Sequence, residues 1–312
     1  MRAIVTGGAG FIGSHLVDAL VARGDDVLVL DDLSTGRRER VPESAPIKVV
    51  DVREAGAVAA AFAAAEADVC FHLAAQADVR VSVERPEFDA EVNVIGTVNV
   101  LQAAHWHGMR VVLASTGGAI YGECVGPAPE TAPRRPVAPY GASKLSAEEY
   151  LATFARLYGS SHVALRYANV YGPRQDPHGE AGVLAIFLGR LARGEPPRVY
   201  GDGHQTRDYV YVADAVAATL AAGGHKGGVF NVGTGRETSV LELVEACERV
   251  SGVKTEPEFA QPRPGELQRS VLDPTLAERE LGFRATTSLE DGLAATWEFI
   301  RAEEGGQDQE AN

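Results

Sequence analysis

The chain has 312 residues, 45% hydrophobic and 23% charged, with Gly 34 and Pro 16, a composition that excludes collagen, coiled coil and wholesale disorder. At roughly 150 residues per domain it is long enough for about two units and a real core without disulfide staples. A formal net charge of −14 makes it a poor partner for a nucleic-acid polymer or an anionic membrane, but does not forbid a local basic pocket for a small anion.

The first half alternates short apolar runs with helical stretches. Ala3–Val5 reads as a buried strand, 11–23 as a helix, Val27–Leu30 as a second strand and Lys48–Val50 as a third. Ala55–Ala65 is an alanine-rich helix, Val69–Leu73 a fourth strand and Asn93–Trp106 a helix. Arg110–Ala114 is a fifth strand, Tyr140–Leu157 a long helix and His162–Arg166 a sixth strand. Near-continuous apolar strands alternating with helices predict an α/β fold, a Rossmann-type doubly wound parallel sheet covered on both faces. Ligands of such sheets sit at the carboxyl ends of the strands.

After residue 167 the rhythm breaks, with Gly and Pro clustered at Tyr171-Gly172-Pro173-Arg174 and again at 262–265. The expected division is 1–166 for the sheet unit and 167–302 for a smaller mixed α/β substrate unit, interleaved. Segments 209–220 and 229–232 are expected to return to the sheet, and 303–312 to form a frayed polar tail. The scattered Cys70, Cys124 and Cys247 form neither a disulfide framework nor a zinc motif. The eight histidines show no metal-ligand spacing, and His178 and His204 read as solvated loop residues. The short apolar start at Met1 does not read as a signal peptide, and no run is long enough to span a bilayer. A reducing, cytoplasmic location is expected.

Two motifs carry chemistry. Thr6-Gly7-Gly8-Ala9-Gly10-Phe11-Ile12-Gly13 follows a strand and opens a helix. Glycines there allow a tight turn and close approach to a pyrophosphate seated on the helix N-terminus. Asp31, 18 residues after Gly13, ends the second strand. Its carboxylate can accept from both adenosine ribose hydroxyls and would repel a 2′-phosphate, favouring NAD over NADP, although Arg37 and Arg38 stand near enough in sequence to reach a phosphate. Asp51-Val52 follows the third strand, where an acid can accept from the adenine amino group. Leu73-Ala74-Ala75 ends the fourth with small side chains that let a cofactor lie against the backbone. The second motif is Tyr140-Gly141-Ala142-Ser143-Lys144. Tyr and Lys at i and i+4 share one helix face, and an ammonium near a phenol favours phenolate, a base able to take a proton from a substrate hydroxyl.

With Ser115–Gly122, Arg166–Arg174, Arg207-Asp208-Tyr209 and Arg263-Pro264-Gly265-Glu266, these motifs make the chain resemble the extended short-chain dehydrogenase/reductase family over about residues 1–300, most closely its UDP-glucose 4-epimerase branch. The resemblance implies NAD as cofactor, held also by Asp32, Ser34, Thr35, Gly36, Asn93, Ser115 and Tyr167. It implies a UDP-sugar substrate at Thr116, Gly117, Tyr140, Asn169, Val183, Leu184, Val199, Tyr200, Arg207, Arg263 and Glu266, with the arginines on the pyrophosphate. It also implies a homodimer joined through the helices at 93–106 and 140–157.

One position departs from the family. Its usual Ser or Thr, four residues before the tyrosine of the Tyr-Gly pair, is Gly117 here. Either Thr116 supplies the hydroxyl or Tyr140 works without it, and Thr116 is the expected donor. Gly118 and Ala119 stand where related dehydratases carry an acid, so elimination of water is poorly equipped. The implied activity is interconversion of UDP-glucose and UDP-galactose through a 4-keto stage, with Tyr140, Lys144 and Thr116 catalytic. The alternatives are 4-epimerisation of UDP-glucuronate or UDP-N-acetylglucosamine and, more remotely, a non-catalytic NAD-sensing protein.

Overall fold

The computed structural model describes residues 1–176, 182–263 and 266–310, the last six by their backbone. His178, Pro264, Gly265 and the last two residues of the expected tail lie outside the described residues. In chain order the main elements are β1 (Arg2–Thr6), α1 (Phe11–Ala22), β2 (Asp26–Asp31), β3 (Ile47–Val49), α2 (Ala55–Ala65), β4 (Val69–His72), α3 (Gly96–Trp106), β5 (Arg110–Thr116), α4 (Pro139–Tyr158) and β6 (Val163–Tyr167). They continue with α5 (Val183–Ala192), α6 (Val212–Ala222), β7 (Gly228–Val232), α7 (Val240–Ser251) and α8 (Leu289–Glu310).

The seven strands form one sheet in the order β7-β6-β5-β4-β1-β2-β3, every pair parallel. Every residue of β4 and β6 is buried, because helices cover both faces, which is why these strands read as largely apolar runs. Leu16, Val17 and Leu20 of α1 and Ala215, Val216 and Ala218 of α6 pack on one face. Val58 and Phe62 of α2, Val100, Leu101 and Ala104 of α3, and Leu151 of α4 pack on the other. Fully burying each such large side chain contributes roughly 1.5–3 kcal/mol, so the two layers fix the sheet. The strand order reverses between β1 and β4, and the crevice beyond their carboxyl ends is where the glycine motif opens.

The long helix α4 starts with Pro139 in its first turn and stops at Gly159, whose φ of +67° only glycine adopts freely. A third core cluster, with Leu184 and Leu188 of α5, Leu243 and Val244 of α7 and Leu293 of α8, builds the remaining unit beside the sheet.

Three expectations need correction. Tyr209–Tyr211 does not join the main sheet. It pairs in parallel with Asn169–Tyr171 in a separate two-stranded sheet, and the returning elements are α6 as a covering helix and β7 as the outer strand. The helix expected from Asn93 is entered through a π-helical turn, Glu91–Ile95, before α3. The backbone beyond Glu303 continues α8 to Glu310 instead of ending the fold near residue 302.

Candidate active site

The glycine motif is shaped by what a Cβ would strike. Gly7 has φ +69°, donates its N–H to the Leu30 carbonyl at 2.8 Å, and a Cβ on it would lie 2.6 Å from the Ala74 nitrogen. The small Leu73-Ala74-Ala75 segment is therefore the wall of the turn. A Cβ on Gly13 would lie 2.0 Å from the Gly7 carbonyl oxygen, so the first turn of α1 can sit on the loop only as glycine. Gly10 caps α1 without a side chain, and Phe11 and Ile12 follow it, packed against the core.

Asp31 closes this turn. Its carboxylate accepts from Ala9 N–H and Leu33 N–H, both at 2.9 Å, and burial raises its pKa against those two bonds. Gly36 is held against it, a Cβ there lying 2.7 Å from Asp31 Oδ1. Asp32 accepts from the Ser34 amide and hydroxyl, and Thr35 is exposed beside them.

A buried histidine ties the strand ends together beneath the site. His72 Nδ1 lies 2.7 Å from Thr6 Oγ1, and Nε2 lies 3.1 Å from Thr97 Oγ1. Thr97 donates to the Asn93 carbonyl at 2.6 Å, so its oxygen accepts from His72 Nε2–H, and the neutral ring takes the Thr6 proton at Nδ1. Burial, helped by the Lys144 charge, pushes His72 down to about 3. The Asn93 amide is fully engaged: Oδ1 accepts from Gln76 N–H, and Nδ2 faces the Gln76 carbonyl, Asp89 Oδ1 and Ser143 Oγ.

Tyr140 and Lys144 lie in the first turns of α4. The neighbouring Thr116 hydroxyl favours the ionised form of Tyr140. Even so, burial pushes the Tyr140 phenol up to about 12. The Lys144 ammonium donates to the Ala114 carbonyl at 3.0 Å, and burial brings it down to about 8 despite the opposing pull of Asp89 and Glu148. The departure at Gly117 has a packing reason. A Cβ there would lie 2.5 and 2.6 Å from the two methyls of the buried Leu272, so Leu272 fills the slot that a side chain at 117 would take.

The substrate side is a cleft of about 370 Å³ whose lining includes Asn169, Val183, Leu184, Tyr200, Arg207, Arg263 and Glu266. Arg190 and Arg198 line it too. Arg207 faces Glu266 at 3.6 Å, and the Arg263 guanidinium lies 3.9 Å over the Tyr200 ring. Several guanidiniums around one cleft favour a diphosphate, which accepts paired bonds from them.

Several expected residues turn elsewhere. Val199 is fully buried, because the strand Arg198–Tyr200 alternates and gives the cleft only its two neighbours. The Ser115 hydroxyl donates to Glu148 at 2.5 Å, and the Tyr167 hydroxyl meets Thr219 at 2.6 Å, inside the sheet layers. Both carboxylate oxygens of Asp51 are taken by Arg53, which holds the acid below its usual range, and Val52 packs in the core. Sequence reasoning missed Gln76, Asp89 and the buried pair Arg166–Glu148, in which Arg166 Nη2 donates to Glu148 Oε2 at 2.6 Å. A charged residue inside an apolar strand, Arg166 in Val163–Tyr167, was the available signal for that pair.

Among the described residues no helix is long and apolar enough to cross a membrane, and no cluster of His, Cys, Asp or Glu could hold a metal ion. Residues 3–233 match the family described as the NAD dependent epimerase/dehydratase family. The chain is 49% identical to a UDP-glucose 4-epimerase of Mycolicibacterium smegmatis, over 96% of this chain and 99% of that one. It superposes with a TM-score of 0.95 and 46% identity on a UDP-glucose 4-epimerase of Thermotoga maritima crystallised with UDP-glucose, covering 97% of this chain and 100% of that one. A Thermus thermophilus UDP-glucose 4-epimerase in complex with NAD gives 0.93 and 47%, covering 96% and 99%.

Proposed function

We propose that this chain, which belongs to the NAD dependent epimerase/dehydratase family, is a UDP-glucose 4-epimerase that interconverts UDP-glucose and UDP-galactose with NAD as its resident cofactor. One observation carries the reading. Tyr140, with the Thr116 hydroxyl on its phenol and Lys144 one turn away, belongs to a chain that also holds a glycine turn fit for a dinucleotide and an arginine-lined cleft fit for a diphosphate.

The fit to NAD rests on the turn. Gly7 and Gly13 leave only backbone where any larger residue would intrude, and Asp31 presents a carboxylate at the end of β2 that disfavours a 2′-phosphate. When bound, NAD supplies reversible hydride transfer at carbon 4 of the sugar and a positive charge beside the phenol. Tyr140 takes the proton from the 4-hydroxyl oxygen, and Thr116 stabilises the phenolate by donating to it. Lys144, fixed by the Ala114 carbonyl, contributes an ammonium on the same helix face. Arg207 and Arg263 hold the diphosphate while the 4-keto sugar turns its other face, and Tyr140 then returns the proton. The absence of an acid at Gly118 and Ala119 leaves oxidation and reduction at carbon 4 as the chemistry the site equips.

The division of labour is a sheet unit for NAD, with α6 and β7 returning to it, and a cleft unit for the UDP-sugar. A homodimer is supported by exposed apolar residues on α4 and on the helical segment 91–106. Ile95, Trp106, Tyr150 and Leu157 are 45–67% exposed, apolar surface that a second copy would cover. A cytoplasmic setting is supported by three buried cysteines that all remain free thiols. The test is turnover against a panel of UDP-sugars. UDP-glucose and UDP-galactose should interconvert fastest. Preferred conversion of UDP-N-acetylglucosamine or UDP-glucuronate would replace the substrate, and no conversion by NAD-loaded protein would remove the assignment. Sedimentation as a monomer at micromolar concentration would remove the homodimer.

A further inference from the structure

Asp89 is a buried acid that the chemistry above does not use. It lies in the helical turn Pro86–Ala90 with 1% of its surface exposed. Its Oδ1 accepts from Gln76 Nε2 at 2.8 Å and from Asn93 Nδ2 at 3.0 Å. Its Oδ2 is buried and has no hydrogen-bond partner. A carboxylate is costly to bury, and both of its partners are neutral amides. Such an oxygen persists in a fold when a positive charge nearby compensates it.

Lys144 is the buried cation of this region. The groups electrostatically coupled to it are Asp89, Glu148 on its own helix and the neutral His72, and Tyr140 stands one turn before it on α4. Glu148 also pulls on Lys144, but its two oxygens are bonded by Arg166 Nε and Nη2 and the Ser115 hydroxyl. Asp89 therefore supplies the carboxylate charge that no guanidinium neutralises. A second link runs through side chains. Asn93 Nδ2 reaches Ser143 Oγ at 3.2 Å, and Ser143 donates to the Tyr140 carbonyl at 3.0 Å. One acid thus touches the pair by charge and by a hydrogen-bonded chain to the first turn of α4.

We propose that Asp89 is a positioning residue for the Tyr140–Lys144 pair, its buried carboxylate holding Lys144 in the ammonium form and, through Asn93 and Ser143, steadying the turn that carries Tyr140. The proposal rests on the reading of Tyr140 and Lys144 as the proton-handling pair. Asp89 also acts on Tyr140, opposing its ionisation, so it separates the two groups by favouring positive charge on one and the neutral form of the other. It thereby widens the pH range in which Lys144 is charged, at some cost to the phenolate.

The sequence makes this directly measurable, because Lys48, Lys144, Lys226 and Lys254 are its four lysines. Selective lysine labelling gives four side-chain ammonium signals, and K144M identifies the one from Lys144. In D89N the Lys144 signal should titrate lower than in the unsubstituted protein by roughly half to two pH units, the range that losing one nearby opposite charge produces. The alkaline limb of the turnover profile should move down with it, and D89E should restore both. D89S is a second neutral variant. Lys144 titrating alike in the unsubstituted protein and in a folded D89N or D89S overturns the proposal. A chain that folds with neither neutral residue overturns it too, because Asp89 would then be a requirement of the fold rather than a charge for the pair. Y140F turning over normally would instead sink the reading of the site, whatever Lys144 does.

Discussion

Thr116→Val removes one hydroxyl from the site and almost nothing else. Valine has the shape of threonine, and Thr116 is half-buried at the end of β5, so stability should change by less than about 1 kcal/mol. The catalytic cost follows from what the hydroxyl does. Burial drives the Tyr140 phenol up to about 12, and the neighbouring Thr116 hydroxyl opposes this. A hydrogen bond to a charged group contributes about 1.5–3 kcal/mol, equivalent to roughly one to two pH units of phenolate stability. The phenolate fraction near neutral pH then falls by about 10- to 100-fold, and kcat with it. Loss of a transition-state hydrogen-bond donor in other enzymes costs ~10²-fold or more, which agrees. KM for the UDP-sugar should hold, because the diphosphate cleft is untouched, and the acid limb of the profile should move to higher pH. The assay is conversion of UDP-galactose to UDP-glucose across the pH range by NAD-loaded protein, with T116S as a control that retains the hydroxyl. T116V turning over within about threefold of the unsubstituted enzyme would refute the assignment of the donor.

Three further outcomes follow from the packing. G117S should lower stability by about 1–3 kcal/mol in denaturant titrations without raising turnover, since its side chain must displace the Leu272 methyls; a G117S enzyme as stable as its parent and faster would show that the slot is open. R166M should cost about 3–5 kcal/mol, because Glu148 is left buried without its partner, and a loss below about 1 kcal/mol would contradict the buried-pair account. Stability should also fall in acid. His72 and His162 are neutral in the fold, lowered to about 3 and about 4 chiefly by burial, against about 6.5 unfolded. Their contribution is full above the unfolded value and lost as pH falls through that window toward the folded values, at most about 2 kcal/mol each near pH 5. H162Q keeps an acceptor for the Val111 N–H and should flatten that decline; an unchanged slope between about pH 5 and pH 7 would exclude His162 as its source.

The residues most legible in the sequence were those whose partners are close along the chain. Gly7, Gly10 and Gly13 lie within one strand–turn–helix unit, and Tyr140 and Lys144 within one helical turn. Their geometry is dictated by local backbone rules. Residues whose role depends on distant packing were not legible in that way. Leu272 fills the slot beside Gly117 from 155 positions away, and Asn231 meets Tyr121 across 110. Asp51 bonds Arg53 through both its oxygens, a pairing two residues along the chain that its place after a strand does not reveal. Val199 and Tyr200 illustrate a period error: adjacent strand residues face opposite sides, so a motif that names both can place only one in the cleft. Asp89 had no pattern at all, since its significance is an oxygen left without a partner in the folded chain.

The central claim is that the chain reverses the configuration at carbon 4 while its cofactor ends each cycle as it began. Purified protein given UDP-galactose, with product and nicotinamide absorbance followed together, tests this most directly. The account predicts UDP-glucose approaching an equilibrium mixture with no net accumulation of NADH. Stoichiometric NADH with an oxidised sugar product, or no sugar conversion with NAD demonstrably bound, would contradict it.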